Sequence, residues 1–183
     1  VEQIYRTNFD LVVKLLEQLS TFDIAGFIHA GTSSEYGRMS AGPSEETPLV
    51  PNSHYAVSKA SAAAAIAYMG AERGLPCVNL RLYSVYGPME DSSRLIPQVV
   101  IHGARGQLPE FVDAEVSRDF VYVDDAVEAF VDASRQMTPL FFGQAFNIGT
   151  GRRTSILDVA ELAQELFQIK EAPVFSMESR QWD

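Results

Sequence analysis

Apolar positions recur every three to four residues over 2–20, at Ile4, Leu11, Val12, Leu15, Leu16 and Leu19, and this spacing predicts a helix with one buried face. A short apolar run over 26–30 then predicts a strand that ends in small hydroxyl residues. Pro43, Pro48 and Pro51 mark a loop, and residues 53–73 read as a second helix. That helix is rich in alanine, at Ala60, Ala62, Ala63, Ala64, Ala65 and Ala67, so another backbone can approach it closely, either a sheet or a second helix. Gly74-Leu75-Pro76 stops it, and 77–83 alternates as a strand. A turn follows at Val85-Tyr86-Gly87-Pro88, then helical spacing over 95–104, a short extended stretch over 107–112 and a strand over 117–123. Asp124-Asp125 opens a helix to about Ser134, with carboxylates suited to a helix N-terminus rather than to a metal. Phe146-Asn147-Ile148-Gly149 reads as a short strand before Gly151, and Ser155-Ile156-Leu157-Asp158 predicts a capping box for a helix ending near Ile169.

Helical and strand patterns in alternation predict an α/β fold. Parallel strands are joined through crossovers, yet the first helix has no strand before it, so the reading expects an α/β domain whose front lies outside this sequence. At 183 residues and 46% hydrophobic content the chain can bury a substantial core. A formal charge of −10 argues against a nucleic-acid surface, which needs a basic footprint. A single cysteine, Cys77, precludes an internal disulfide and suits a reducing compartment. With no apolar run of membrane length and no signal peptide in view, the expected setting is cytoplasmic, without a membrane partner.

The chemistry concentrates between His29 and Lys59. Tyr55 and Lys59 stand at i and i+4, on one face of the second predicted helix. An ammonium beside a phenol favours the phenolate and draws its pKa down from about 10, which makes a base. Thr32, at the end of the first strand, could bring a hydroxyl to the same place. Seven tyrosines and three lysines give about 0.1 such pair by chance, so the spacing by itself leaves open an ordinary helix with an exposed lysine and a half-buried tyrosine.

Five motifs stand in order: T-S-S-E-Y-G from Thr32, Y-A-V-S-K from Tyr55, R-L-Y-S-V-Y-G-P from Arg81, S-R-D-F-V-Y-V-D-D from Ser117 and F-N-I-G-T-G from Phe146. Together they resemble the extended short-chain dehydrogenase/reductases that act on nucleotide sugars, the NAD-dependent epimerase/dehydratase family. The resemblance covers nearly the whole chain. It implies a Rossmann-like doubly wound parallel sheet, here without its Gly-rich N-terminal βαβ part, and part of a smaller C-terminal substrate domain. Residues 1–88 would be the C-terminal half of the dinucleotide-binding domain. Residues 89–183 would be mainly the substrate domain, with 117–135 and 144–149 returning to the Rossmann core. The end of the substrate domain is expected to be missing beyond Arg180-Gln181-Trp182-Asp183.

The resemblance also implies roles. Tyr55 would exchange a proton with a sugar hydroxyl at C4 while hydride passes between that carbon and NAD or NADP. Lys59 would hold the nicotinamide ribose and keep Tyr55 acidic, and Thr32, matching a substrate-binding and catalytic position, would hydrogen-bond or relay the same proton. Thr7, Ala30, Leu82, Tyr83 and Ser84 match positions near the cofactor. Arg118 and Asn147 match residues at the substrate diphosphate, Phe111 a residue that packs on the base, and Leu95 a segment that contacts the nucleotide. His29, His54 and His102 match no catalytic position. A homodimer through the helices over 2–20 and 53–73 is expected as well.

Departures bear on the reaction. Dehydratases of this family carry acidic groups directly after the threonine, where this chain has Ser33 and Ser34. Glu35 comes one place late, and in extended backbone such an offset would turn its side chain to the other face. Ser84 stands where many members have Asn, and His54 where Pro is common. The reading therefore favours a nucleotide-sugar 4-epimerase or 4-keto reductase, with a 4,6-dehydratase second. A non-catalytic nucleotide-sugar or dinucleotide-binding remnant is the alternative of another class.

Overall fold

The chain enters on α1 (Glu2–Tyr5), widens into a π-helical turn (Arg6–Asp10) and continues as α2 (Leu11–Leu19). The structure is a computed structural model that describes residues 1–39 and 42–178. Residues 180–183, on which the expectation of a missing C-terminal segment rests, lie outside the described residues. Next come β1 (Phe27–Thr32), a 3-10 helix (Ser33–Met39), α3 (His54–Ala71), β2 (Cys77–Leu82) and β3 (Ser84–Tyr86). After α4 (Leu95–Gly103), β4 (Ser117–Arg118) and β5 (Phe120–Tyr122), the chain forms α5 (Val123–Arg135). A 3-10 turn (Pro139–Phe141), β6 (Ala145–Ile148), β7 (Thr154–Ser155) and α6 (Ile156–Phe167) complete it. Contacts divide it into two units, Val1–Tyr83 with Asp124–Ile148, and Ser84–Val123 with the chain from Gly149 onward. The division thus falls after Tyr83, and 117–123 sits with the second unit.

In the first unit, β1, β2 and β6 make a parallel sheet in the order β1-β2-β6. Its register aligns Phe27 with Cys77, His29 with Asn79, and Gly31 with Arg81, which in turn lies beside Asn147. Side chains alternate between faces along each strand, so these residues share one face. At the N-terminal end of that face Phe27 and Cys77 join Leu16, Ile66 and Leu75 in an apolar cluster. Burial pushes the Cys77 thiol up to about 11. The alanines of α3 serve this packing: Ala56, Ala62 and Ala63 are buried, while Ala64, Ala67 and Tyr68 face outward. Ser53 caps α3 by accepting a hydrogen bond from the Ala56 amide at 3.1 Å.

In the second unit β3 pairs with β5 in parallel and β4 with β7 antiparallel. The expected continuous strand over 117–123 is two strands in two pairings. Asp119 breaks it: its carboxylate accepts from the Thr150 amide and hydroxyl and the Gly151 amide, and its carbonyl from the Ser84 amide. The expected extended stretch over 107–112 forms no strand, only an isolated bridge from Phe111 to Phe175. The capping box forms as expected, with Ser155 and Asp158 each accepting from the other's amide. Val99, Phe111, Ile156, Val159, Ala160 and Ala163 make the core of this unit. Among the described residues no helix is long and apolar enough to cross a membrane.

Candidate active site

Tyr55 and Lys59 lie one turn apart on α3, with Tyr55 43% exposed and Lys59 half-buried. Lys59 Nζ donates to the Ala30 carbonyl at 2.8 Å, which ties α3 to the last residues of β1. Thr32 ends that strand. Its hydroxyl oxygen accepts from the Ser34 amide at 3.2 Å, and a hydroxyl that accepts can still donate its own proton. Burial lowers Lys59 below its ordinary value, and the Glu35 carboxylate opposes that shift. The site occupies the carboxyl ends of parallel strands, where open α/β sheets bind ligands.

Beyond Thr32 the backbone is not extended. The chain coils into the 3-10 helix, broken by Gly37 at φ 74°, where a Cβ would collide with the Val50 carbonyl. Coiling turns Glu35 inward, to zero exposure. Its Oε2 accepts from Arg81 Nε at 2.9 Å, its Oε1 from the Thr32 amide at 3.0 Å, and both oxygens from Asn79 Nδ2 at 3.3–3.4 Å. Arg81 Nη1 donates to the Tyr36 hydroxyl at 2.7 Å, and that hydroxyl donates to Asn147 Oδ1 at 2.8 Å. Burial works against the Arg81 charge, but hydrogen bonds to Glu35 and Tyr36 outweigh it and hold the guanidinium above its ordinary value. Asn79 turns its amide nitrogen to the carboxylate, which leaves Oδ1 to accept from His29 Nδ1–H at 2.9 Å.

The cofactor candidates of the first unit fall at strand ends and on the first helical stretch. Ala30 carries the carbonyl that Lys59 binds, Leu82 ends β2, and the Tyr83 amide donates to the Ile148 carbonyl at 3.0 Å. Thr7 is exposed within the π-helical turn. Its neighbour Asn8 donates from Nδ2 to Ser58 Oγ at 3.1 Å, and that hydroxyl donates to the Tyr55 carbonyl at 2.8 Å. Asn147 is engaged within the first unit: Nδ2 donates to the Pro43 carbonyl and its amide to Glu45.

The other candidates belong to the second unit. Ser84 begins β3, Leu95 begins α4 and packs against the core, and Arg118 lies on β4 in register with Thr154. Phe111 is 1% exposed, with its ring 5.8 Å from that of Phe175, as a core residue would be.

Glu35, Tyr36, Asn79 and Arg81 escaped the reading of the sequence as one network. A signal was present: Asn79 and Arg81 are polar at i and i+2 in a strand otherwise apolar throughout, which puts two hydrogen-bonding groups on one buried face.

A family model described as the NAD dependent epimerase/dehydratase family matches residues 1–149. The chain is 34% identical over 163 residues to the uncharacterized UDP-glucose epimerase YtcB of Bacillus subtilis, an alignment covering 87% of this chain and 50% of that protein. Among solved structures it is similar to a dTDP-glucose 4,6-dehydratase of Bacillus anthracis in complex with NAD, at TM-score 0.86 and 27% identity, covering 97% of this chain and 57% of the other. A UDP-glucuronic acid 4-epimerase of Bacillus cereus, in complex with UDP-glucuronic acid and NAD, gives TM-score 0.82 at 27% identity, covering 96% and 55%. The chain spans about half the length of these relatives. Its sheet is the parallel, Rossmann-like α/β arrangement, and the chain belongs to the NAD dependent epimerase/dehydratase family.

Proposed function

We propose that this chain carries the acid/base centre of an NAD(P)-dependent enzyme that oxidises and reduces a nucleoside-diphosphate sugar at C4, as a 4-epimerase or 4-keto reductase. The carrying observation is the anchoring of Lys59 on the Ala30 carbonyl, with Tyr55 one turn away and Thr32 two residues on. Tyr55 accepts the proton of the C4 hydroxyl as the carbon is oxidised and returns it on reduction. The Lys59 charge favours the phenolate, and the Thr32 hydroxyl donates to the reacting oxygen. The site fits a dinucleotide: it lies at the carboxyl ends of β1 and β2, where Lys59 can exchange its carbonyl partner for a ribose hydroxyl. When bound, the nicotinamide supplies the hydride chemistry. Thr7, Ala30, Leu82, Tyr83 and Ser84 are proposed to lie along the cofactor. Leu95, Arg118 and Asn147 are proposed to meet the nucleotide, with Arg118 as the partner of the diphosphate, while Phe111, buried against Phe175, fits the core instead.

Epimerase and dehydratase relatives are similar to this chain to comparable degrees, so the preference rests on its own residues. Elimination needs an acid or base directly after Thr32, and Ser33 and Ser34 offer only hydroxyls. The nearest carboxylate, Glu35, has no exposure and is committed to Arg81, Asn79 and the Thr32 amide. A 4,6-dehydratase is therefore the second reading. Exposed Leu11, Leu15 and Tyr68 on α2 and α3 support the proposed homodimer through the first helical stretch and α3.

The test incubates the intact protein and NAD with a panel of nucleotide sugars and reads products by mass and stereochemistry. Inversion without mass change is the expected result, or reduction of a 4-keto sugar when NADPH or NADH is supplied. Loss of water would establish the dehydratase, and binding without turnover of any substrate would leave the remnant.

A further inference from the structure

Glu35 has no exposure, so it touches neither solvent nor substrate, yet its carboxylate reaches the backbone of a residue in the proposed proton-transfer centre. We propose that Glu35 is a positioning residue, whose carboxylate fixes Thr32 through its amide and serves Lys59 as a buried counter-charge, while Arg81 and Asn79 hold that carboxylate in place. Its catalytic consequence rests on the function proposed above; the positioning itself does not.

Each contact restricts a different freedom. The Thr32 amide donates to Oε1 at 3.0 Å where β1 passes into the 3-10 helix, and the Thr32 hydroxyl accepts from the Ser34 amide at 3.2 Å. The amide and the hydroxyl of Thr32 are thereby set by a turn that Glu35 closes. Gly31 allows this closure, because a Cβ there would meet Glu35 Oε1 at 2.7 Å and collide with Asn79 Oδ1. Arg81 Nε binds Oε2 at 2.9 Å, and the guanidinium lies over the Tyr36 ring, 4.7 Å from its centroid. The carboxylate is thus held from the side remote from Thr32 and cannot rotate away.

Lys59 Nζ meets the Ala30 carbonyl at 2.8 Å and Glu35 Oε1 meets the Thr32 amide at 3.0 Å, so both charges are held at the same end of β1; the other elements packed against α3 bring Arg6 and Asp10 on the π-helical turn, Lys14 and Glu17 on α2, His29 on β1 and Arg81 on β2. Burial works against the charged lysine, and the Glu35 carboxylate favours it.

The alternative is that Glu35 only neutralises Arg81. Two variants of the intact protein separate the two. In Glu35→Gln, NMR titration of the three lysines, with Lys59 assigned through Lys59→Arg, is expected to show the Lys59 midpoint below that of the wild type. The alkaline limb of kcat/KM should move the same way, and kcat should fall on the order of 10- to 100-fold with little change in KM. The double variant Glu35→Leu with Arg81→Met removes both ions, so no unpaired charge threatens folding. Positioning predicts that it folds with kcat still low and with the Thr32 amide exchanging faster while the Ile28–Ala30 segment of β1 stays protected.

If the double variant instead recovers wild-type kcat and Thr32 protection, Glu35 serves only Arg81 and the proposal falls. An unchanged Lys59 midpoint in Glu35→Gln removes the counter-charge half. Should the wild type turn over no nucleotide sugar, the catalytic reading fails, and the titration and amide exchange still decide the positioning.

Discussion

The two ends of one sheet face differ in kind. At the N-terminal end Phe27 and Cys77 pack against Leu16, Ile66 and Leu75. Two residues further along the same strands and the same face stand His29 and Asn79, and two beyond those, Gly31 and Arg81. The first pair needs only apolar neighbours, because hydrophobic burial has no direction. The second set needs particular partners at particular distances, since a buried polar group without one costs far more than a hydrogen bond gains. Packing therefore holds one end of the sheet, and directed bonds hold the other, at the carboxyl edge where the proposed chemistry lies.

The largest effect that would sharpen this contrast is on rate rather than stability. Tyr55→Phe is expected to lower turnover about 10²- to 10⁴-fold, since it removes a general acid/base, while the unfolding midpoint stays put because the ring is 43% exposed. Steady-state kinetics beside thermal unfolding checks both halves, and unchanged turnover would overturn the role of Tyr55. Next in size is Arg81→Met, which leaves Glu35 buried without its counter-ion at zero exposure and should destabilise by about 3–5 kcal/mol in urea unfolding. At the apolar end, Ile66→Ala is expected to cost about 2–5 kcal/mol by leaving a cavity beside Leu16 and Cys77, with turnover per folded molecule unchanged. If Ile66→Ala slowed turnover as much as Tyr55→Phe, the two ends would not be separable in function.

The apolar end was legible in the sequence and the polar end only in part. Helical spacing marks α2, an apolar run marks β1 and alternation marks β2, because burial writes a period into the chain. Tyr55 and Lys59 were legible because both sit on one helix, where i and i+4 fixes their relation. Glu35 was misplaced in expectation because its orientation depends on the 3-10 coil after Thr32, and an extended backbone would have sent the side chain elsewhere. The bond from Tyr36 to Asn147 joins residues 111 apart in the chain, so only the β2–β6 register reveals it. The π-helical turn at Arg6–Asp10 left no trace in the periodicity, which stays helical on either side. Residues 117–123 read as one strand because Phe120, Val121, Tyr122 and Val123 favour extended backbone, and the break at Asp119 comes from bonds to Thr150 and Gly151 far along the chain.

The smallest expected effect tests whether the polar end also sets the acid limit of stability. Burial lowers the His29 pKa below its ordinary 6.5; the bond to Asn79 and the Glu35 carboxylate oppose that shift, and the Lys59 charge adds to it. Above 6.5 the imidazole is neutral in both folded and unfolded chains and contributes nothing to the pH dependence. Below 6.5 the unfolded chain takes up a proton that the folded chain refuses, so stability falls with pH until the lowered folded value is reached. One proton sets the ceiling of that slope, about 1.4 kcal/mol per pH unit. Urea unfolding from about pH 7.5 down to about 5.5 should therefore show a shallower loss in His29→Gln, which keeps a donor for Asn79 and cannot titrate. Parallel curves would mean that His29 accepts its proton in the folded chain without cost, and the polar end would then not set the acid limit through His29.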